Sequence, residues 1–425
     1  VEGGFKTFYK RTGKGLDTGV LRAGYAEEEI TPGAGMSLIG YEFRDGELPP
    51  GNGGVHDPLW VRVLVLESGR TLCFWVTLDL CILTREVAAE LRRRLAVLAG
   101  GHEDRILLSC SHTHSGPFPQ MGRVSGREEG LRPLDDATPP DETEAYTRLL
   151  FERVETAARR ARGLLNPVVA EVQEAPLGIG YNRRVRLGKG VAVCWNPQEF
   201  PNLHPEGAPD PTLTTLRFRH ERGPNSYVLW SLGVHPVCLG KTSRVVSADW
   251  PGVANRMIRE ADPGCRPLFV QGAGGEVHPW IATQNDPDLL EVVARPAAAL
   301  VRLLGYAAVP MGRSPQIRTL RKEVRVGTQG VDVTLWRIGD LLVVGLPVEL
   351  FGTLSMAFRQ RWDGPVVFAT LTNGWECYWP DRRAFAEGNY EVDAARSFGR
   401  RAGDGEELMK SVERLARGLF RTDRE

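Results

Sequence analysis

From Leu21 onward, short apolar runs of strand length alternate with longer segments in which apolar residues recur every three to four positions. The strand-like runs lie at 21–25, 60–66, 72–78, 106–110, 168–172, 227–234, 267–271, 331–336, 341–346 and 366–371. Their wealth of β-branched and aromatic side chains suits a pleated, buried surface. Helical periodicity marks 85–98, 142–164, 251–261, 289–304, 350–360 and 405–419. Thr84 before the first helix and Asp249 just ahead of Pro251 in the third predict N-caps. Strands alternating with helices predict an α/β fold, with a large mixed, partly parallel sheet flanked by helices. No internal repeat or compositional break divides residues 19–425, so a single catalytic domain is expected there. Residues 1–18 are polar, Gly-rich and aperiodic, and predict a loose N-terminal arm.

Two irregular stretches interrupt the pattern, at 117–140 and 195–211. Each adjoins a candidate motif, which predicts active-site rims, and the first is acidic at Asp135-Asp136, with Asp141-Glu142 just beyond it. Arg92-Arg93-Arg94 and the Arg400-Arg401 pair read as solvated surface.

With 42% of 425 residues apolar, the chain can bury a sizeable core. Its 53 basic and 53 acidic side chains cancel, so no global field favours nucleic acid. No apolar run reaches the ~20 residues of a transmembrane helix. Seven dispersed cysteines without a CxxC pair argue against a disulfide scaffold and a cysteine zinc site. Buried thiols in a reducing compartment, hence a cytoplasmic location, are expected. The chain opens Val1-Glu2-Gly3-Gly4, so secretion is consistent with a leader that has been removed. Nothing in the sequence specifies an oligomer.

Four of the eight histidines follow buried-looking strands and precede Gly or Pro. Ile106–Cys110 runs into Ser111-His112-Thr113-His114-Ser115-Gly116-Pro117. Strand alternation puts His112 and His114 on one side. The run 227–234 leads to His235-Pro236, and 267–271 leads through glycines to Glu276-Val277-His278-Pro279. Open α/β sheets gather ligand sites at such carboxyl ends, and imidazoles there are natural ligands of a hydrolytic metal. A carboxylate could come from Glu349, which ends the apolar strand at 341–346, although a Glu at a helix start is also favoured by the dipole.

In this order, these segments resemble the neutral, non-lysosomal ceramidases. The resemblance runs from Gly24-Tyr25-Ala26 through Ile39-Gly40-Tyr41, Ser111–Pro117, Asn182-Arg183, Val234-His235-Pro236, Ser247-Ala248-Asp249, 271–279 and Leu346–Glu349. It ends on Asn373, Tyr378 and Tyr390-Glu391, and so covers roughly residues 20–400. It implies a zinc amidohydrolase with His112, His235, Glu349 and Tyr378 as ligands of one Zn²⁺ per chain. It also implies that His114 serves the transition state, and that Arg183 and Tyr390 line the substrate amide. Asp249 and Glu276 are expected to fix histidine tautomers around the metal.

One segment departs from the family. Its Gly-Asp-Val-Ser-Pro reads Gly275-Glu276-Val277-His278-Pro279 here. His278 could therefore be a second metal position, a proton relay or a substrate-selective wall. The family's C-terminal immunoglobulin-like domain has no counterpart before Glu425, which with the polar rim predicts a smaller or more soluble substrate than ceramide. The expected reaction is hydrolysis of a linear N-acyl amide by metal-activated water. A related metal-dependent esterase or carbohydrate-active hydrolase would use the same water. A non-catalytic ligand-binding relative would keep only the fold.

Overall fold

Three times along the chain, an antiparallel meander of three strands is followed by a helix and then by a fourth strand parallel to the third. The computed structural model describes residues 20–41, 51–121, 140–188, 190–199, 205, 207–312 and 315–421. The first unit is β1 (Arg22–Glu29), β2 (Trp60–Ser68), β3 (Thr71–Leu78), α1 (Arg85–Ala96) and β4 (Ile106–Cys110). After α2 (Pro140–Gly163), the second is β5 (Asn166–Pro176), β6 (Thr212–His220), β7 (Ser226–Leu232), α3 (Asp249–Ala261) and β8 (Cys265–Gln271). After α4 (Leu289–Tyr306), the third is β9 (Ile317–Val326), β10 (Gln329–Ile338), β11 (Leu341–Gly345), α5 (Gly352–Arg361) and β12 (Val366–Ala369). Helices α6 (Arg382–Glu387), α7 (Tyr390–Ser397) and α8 (Asp404–Arg421) follow.

The sequence shows no repeat because the units share an order of elements and not a residue period. The first two units join where Arg22 and Ala23 of β1 pair with Pro167 and Asn166 of β5. Among the described residues this gives a nine-stranded mixed sheet of order β8-β7-β6-β5-β1-β2-β3-β4, with the short strand Val309–Pro310 against β5. The third unit forms its own sheet, β9-β10-β11-β12. The expected α/β class, with mixed and partly parallel sheets flanked by helices, is the one observed.

The inner faces of all three units share one core. Leu64, Trp75 and Leu107 meet Phe218, Leu229 and Leu268, and both sets meet Trp336, Leu341 and Val367. Trp75 and Trp336 pack edge to face with centroids 5.6 Å apart. Their indole N–H groups donate to Ser109 Oγ and to the Asp104 carbonyl, so the buried polar edges are satisfied. Outer faces are covered by helices. The α2 residues Leu150, Val154, Ala157 and Ala161 are fully buried in the core that also takes in Val61, Val63 and Val65 of β2. Gly24 of β1 lies so close to α2 that a Cβ would stand 2.1 Å from the Ala161 carbonyl oxygen.

The carboxyl ends of β4, β8 and β12 come together. Thr370, just past β12, donates its N–H to the Gln271 carbonyl of β8, and Thr372 bridges to Ser109 of β4. This junction carries the site.

Several local expectations change. Strands β6 and β9 and helices α6 and α7 had no strong apolar signal. β9 carries three consecutive exposed charges, Arg321, Lys322 and Glu323. Arg92 is not solvated: it is 4% exposed and its Nη1 donates to Asp332 at 2.7 Å. Arg400 is likewise buried, with its guanidinium 4.5 Å from the Trp379 ring centroid. Thr84 does cap α1, accepting from Val87 N–H at 3.2 Å. The loose arm at 1–18, residues 122–139 of the first rim stretch with Asp135-Asp136, and residues 200–204 and 206 of the second with His204 lie outside the described residues.

Candidate active site

Each of three donor side chains follows a strand of a different unit. His112 follows β4, His235 follows β7 and Glu349 follows β11. Glu349 Oε2 lies 3.4 Å from His112 Nε2 and 3.2 Å from His235 Nε2, and all three side chains are buried. Their donor atoms lie within 4.8 Å of one another.

The other nitrogen of each imidazole is held by the backbone. His112 Nδ1 lies 3.0 Å from the Cys81 carbonyl, and His235 Nδ1 lies 2.8 Å from the Gly274 carbonyl and 3.0 Å from that of Val277. A carbonyl only accepts, so each Nδ1 carries a proton and each Nε2 is turned toward the Glu349 carboxylate. Ligands ~2.0–2.2 Å from one tetrahedral Zn²⁺ stand ~3.3–3.5 Å apart, which these separations match. The residues present therefore fit such an ion. Burial alone would raise the Glu349 carboxyl, but the imidazoles of His112 and His235 hold it well below the usual carboxylate range. Its Oε1 accepts from Trp375 Nε1–H at 2.9 Å. Burial, aided by the nearby charges of Arg183 and His112, lowers His235 to about 4, so its imidazole is neutral near pH 7.

A second cluster, Cys81, His112 and His114, also has donors close together. It engages His112 through Nδ1, 3.5 Å from Cys81 Sγ, and that nitrogen already faces a carbonyl. All seven cysteines are buried free thiols.

His114 Nε2 lies 3.4 Å from His112 Nε2. Strand alternation is not the reason, because the strand ends at Cys110 and His112 has φ +75°. A pinned turn brings the rings together instead. His112 N–H donates to Leu80 O, Thr113 Oγ1–H donates to Ser247 O, and Ser247 N–H donates to Ser115 O. Gly40, at φ +114°, lies against the imidazole, where a Cβ would meet His114 Cγ at 2.4 Å. Tyr41 packs edge-on to the ring with centroids 5.0 Å apart.

Arg183 is buried beside this cluster. Its Nε donates to Glu391 Oε1 at 2.7 Å, its Nη1 to His278 Nε2 at 2.8 Å and its Nη2 to the Gly275 carbonyl at 2.9 Å. The rings of Trp195, Tyr378 and Tyr390 surround the guanidinium with centroids 5.2–5.6 Å away. Tyr378 sits opposite Glu349 in a two-residue parallel pairing, and its ring lies 5.6 Å from that of Tyr390. Burial, then the charge of Glu349, holds its phenol well above the ordinary range.

Two expected roles fall elsewhere. Asp249 does not touch a histidine. It has φ +54° and its carboxylate accepts from the N–H groups of Cys238, Leu239 and Trp250, pinning the loop after His235. It does not cap α3, whose cap position is Ala248 without a side-chain bond. Glu276 accepts from Gly352 N–H with both oxygens, and burial pushes its carboxyl up to about 8. Backbone carbonyls, not these carboxylates, fix the tautomers.

The sequence reading missed Trp375, Gly40 as a wall for His114, and Glu391 as the partner of Arg183. Trp375 stood within an aromatic cluster that reads equally well as core, and Glu391 lies 208 positions from Arg183.

Fold and cluster together define an α/β protein with a buried two-histidine, one-carboxylate site at the carboxyl ends of its strands. No family model matches the chain. Over 261 residues it is 24% identical to Neutral ceramidase A of Dictyostelium discoideum, a match covering 58% of this chain and 34% of that protein. The matched region is thus about a third of the relative's length. Neutral ceramidase from Pseudomonas aeruginosa shares the fold with a TM-score of 0.71 and 16% identity, covering 92% of this chain and 73% of that one. A ceramidase complexed with C2 gives a TM-score of 0.71 at 16% identity, covering 92% and 74%. The chain thus has the fold of these neutral ceramidase structures. Among the described residues, no helix is long and apolar enough to cross a membrane.

Proposed function

We propose that this protein is a metal-dependent hydrolase that cleaves a linear N-acyl amide. The observation that carries the reading is the convergence of His112 Nε2, His235 Nε2 and Glu349 Oε2 at metal-ligand spacing, each imidazole fixed through its other nitrogen. One Zn²⁺ held by these three, with Tyr378 as the fourth group, would activate a water by lowering its pKa toward ~7 and would polarise the scissile carbonyl.

The chain's own groups do the remaining work. His114, held by Gly40 and Tyr41 next to His112, hands a proton to the amine nitrogen as the C–N bond breaks. Arg183, engaged by Glu391, His278 and Gly275, acts through the rings packed around it. It shapes Tyr378 and Tyr390, and Tyr390 lines the acyl side.

The described rim near the site is aromatic, with Trp195 41% exposed and Tyr390 37% exposed. That suits an apolar acyl group of modest length on a water-soluble amide. Hydrolysis assays over N-acyl amides of graded acyl length, with and without detergent, test this. Release of the amine with a peak at short or medium acyl groups is expected. A steady rise up to long-chain ceramide would replace the substrate part of the reading.

A further inference from the structure

His278 lies buried in the short strand Val277–Pro279, paired with Gly180–Asn182 immediately before Arg183. Its Nε2 is 2.8 Å from Arg183 Nη1 and its Nδ1 is 3.2 Å from the Trp195 carbonyl. A guanidinium only donates, so Nε2 holds the lone pair and Nδ1 donates its proton to Trp195. Both ring nitrogens are used, and the imidazole is neutral. It has neither a lone pair for a second metal nor a proton to relay, which removes two of the three sequence readings of this position.

Arg183 is similarly committed. A guanidinium has five N–H groups. Glu391, His278 and the Gly275 carbonyl engage Nε, Nη1 and Nη2, so every nitrogen of the group is held. A carboxylate bound as a fork needs two parallel N–H groups. The charge is also balanced. Glu391, fully buried, meets Arg183 with one oxygen and Arg184 with the other at 2.9 Å, and Arg184 also meets Glu387 at 3.2 Å. What faces outward over this buried network is Trp195 and Tyr390.

We propose that His278 is a positioning and specificity-determining residue: by accepting from Arg183 it locks that guanidinium beneath the Trp195–Tyr390 rim and denies it to a carboxylate on the substrate. The inference rests on the amide-hydrolase reading above for its substrate, but not for the contact itself. It predicts discrimination between amides that share an acyl chain and differ only in a negative charge.

The test compares N-lauroylethanolamine with N-lauroylglycine. Wild-type enzyme cleaves the ethanolamide with the higher kcat/KM, by about tenfold or more, the scale of one charge-assisted interaction. His278→Ser narrows that ratio by about tenfold through a lower KM for the glycine conjugate, with metal content unchanged. His278→Gln, whose amide oxygen can accept from Arg183, keeps the wild-type ratio. Equal cleavage of both amides by wild type, or an unchanged ratio in a folded His278→Ser, overturns the proposal. The contact is read without turnover from the ¹⁵N spectrum of histidine-labelled protein. A neutral His278 with its proton on Nδ1, altered by Arg183→Gln, supports it, and a proton on Nε2 overturns it. If neither amide is cleaved, the amide-hydrolase reading falls and the spectrum alone decides the His278–Arg183 contact.

Discussion

His235 Nε2 stands 3.2 Å from Glu349 Oε2, although 114 positions separate the two residues. Each follows the third strand of its own unit, β7 for His235 and β11 for Glu349, and the same carboxylate oxygen also faces His112 past β4. The two imidazole nitrogens and the carboxylate oxygen converge on one buried point, where a bound cation would engage all three.

The ligand set is tested by removing one donor at a time. His112→Ala and His235→Ala should leave protein that elutes from gel filtration without metal, read by elemental analysis. His114→Ala should keep its metal and lose about 10²–10⁴-fold in kcat. Metal lost from His114→Ala but kept by His112→Ala would invert the assignment.

Trp375 orients Glu349 through a single N–H bond at 2.9 Å. Trp375→Phe preserves most of the ring and removes the donor. Such supporting partners typically contribute 10–100-fold to metal affinity, so weakening of about that size is expected in a competition titration against a chelator. An unchanged affinity would make the bond incidental.

Gly40 combines φ +114° with contact against His114. Gly40→Ala should displace the imidazole and lower kcat while metal content stays near that of wild type. The strained backbone should also cost about 1–3 kcal/mol in chemical denaturation. Wild-type turnover in this variant would show that His114 does not need its wall.

Glu276 gives a pH dependence whose sign is fixed. Burial raises its folded-state carboxyl to about 8, above the unfolded value. Between roughly pH 4.5 and pH 8 the folded state therefore holds more protons, and this group's contribution to stability falls as pH rises. Glu276→Gln keeps an acceptor for Gly352 and removes the ionisation. It should gain about 2–4 kcal/mol over wild type at pH 8 and little at pH 5, measured by urea unfolding. Parallel pH profiles for the two proteins would contradict this.

The strand ends carrying His112, His235 and Glu349 were legible because each is a polar residue just past an apolar run, the histidines ahead of Gly or Pro. The α/β class was legible from alternating periods. The proximity of His112 and His114 was also expected, but from pleat alternation, whereas a left-handed residue and a pinned turn produce it. The resemblance alone placed Arg183 at the substrate amide, and its bond to Glu391 was not legible because the two are remote in sequence. Asp249 read as a cap or a histidine partner from its place before Pro251, and a positive φ turns it toward backbone amides instead. Strand β9 escaped because its outward face carries charge, and the threefold order of elements because topology leaves no residue period.

The most direct test of the central claim is metal titration followed by amide hydrolysis. The purified protein is stripped with a chelator, Zn²⁺ is added back in steps, and amine release from an N-acyl amide is followed at each step. Activity should vanish on stripping and return in proportion to zinc, reaching its plateau at about one equivalent per chain. Amide cleavage that survives complete removal of metal, or full zinc loading with no amide cleaved, would contradict the account.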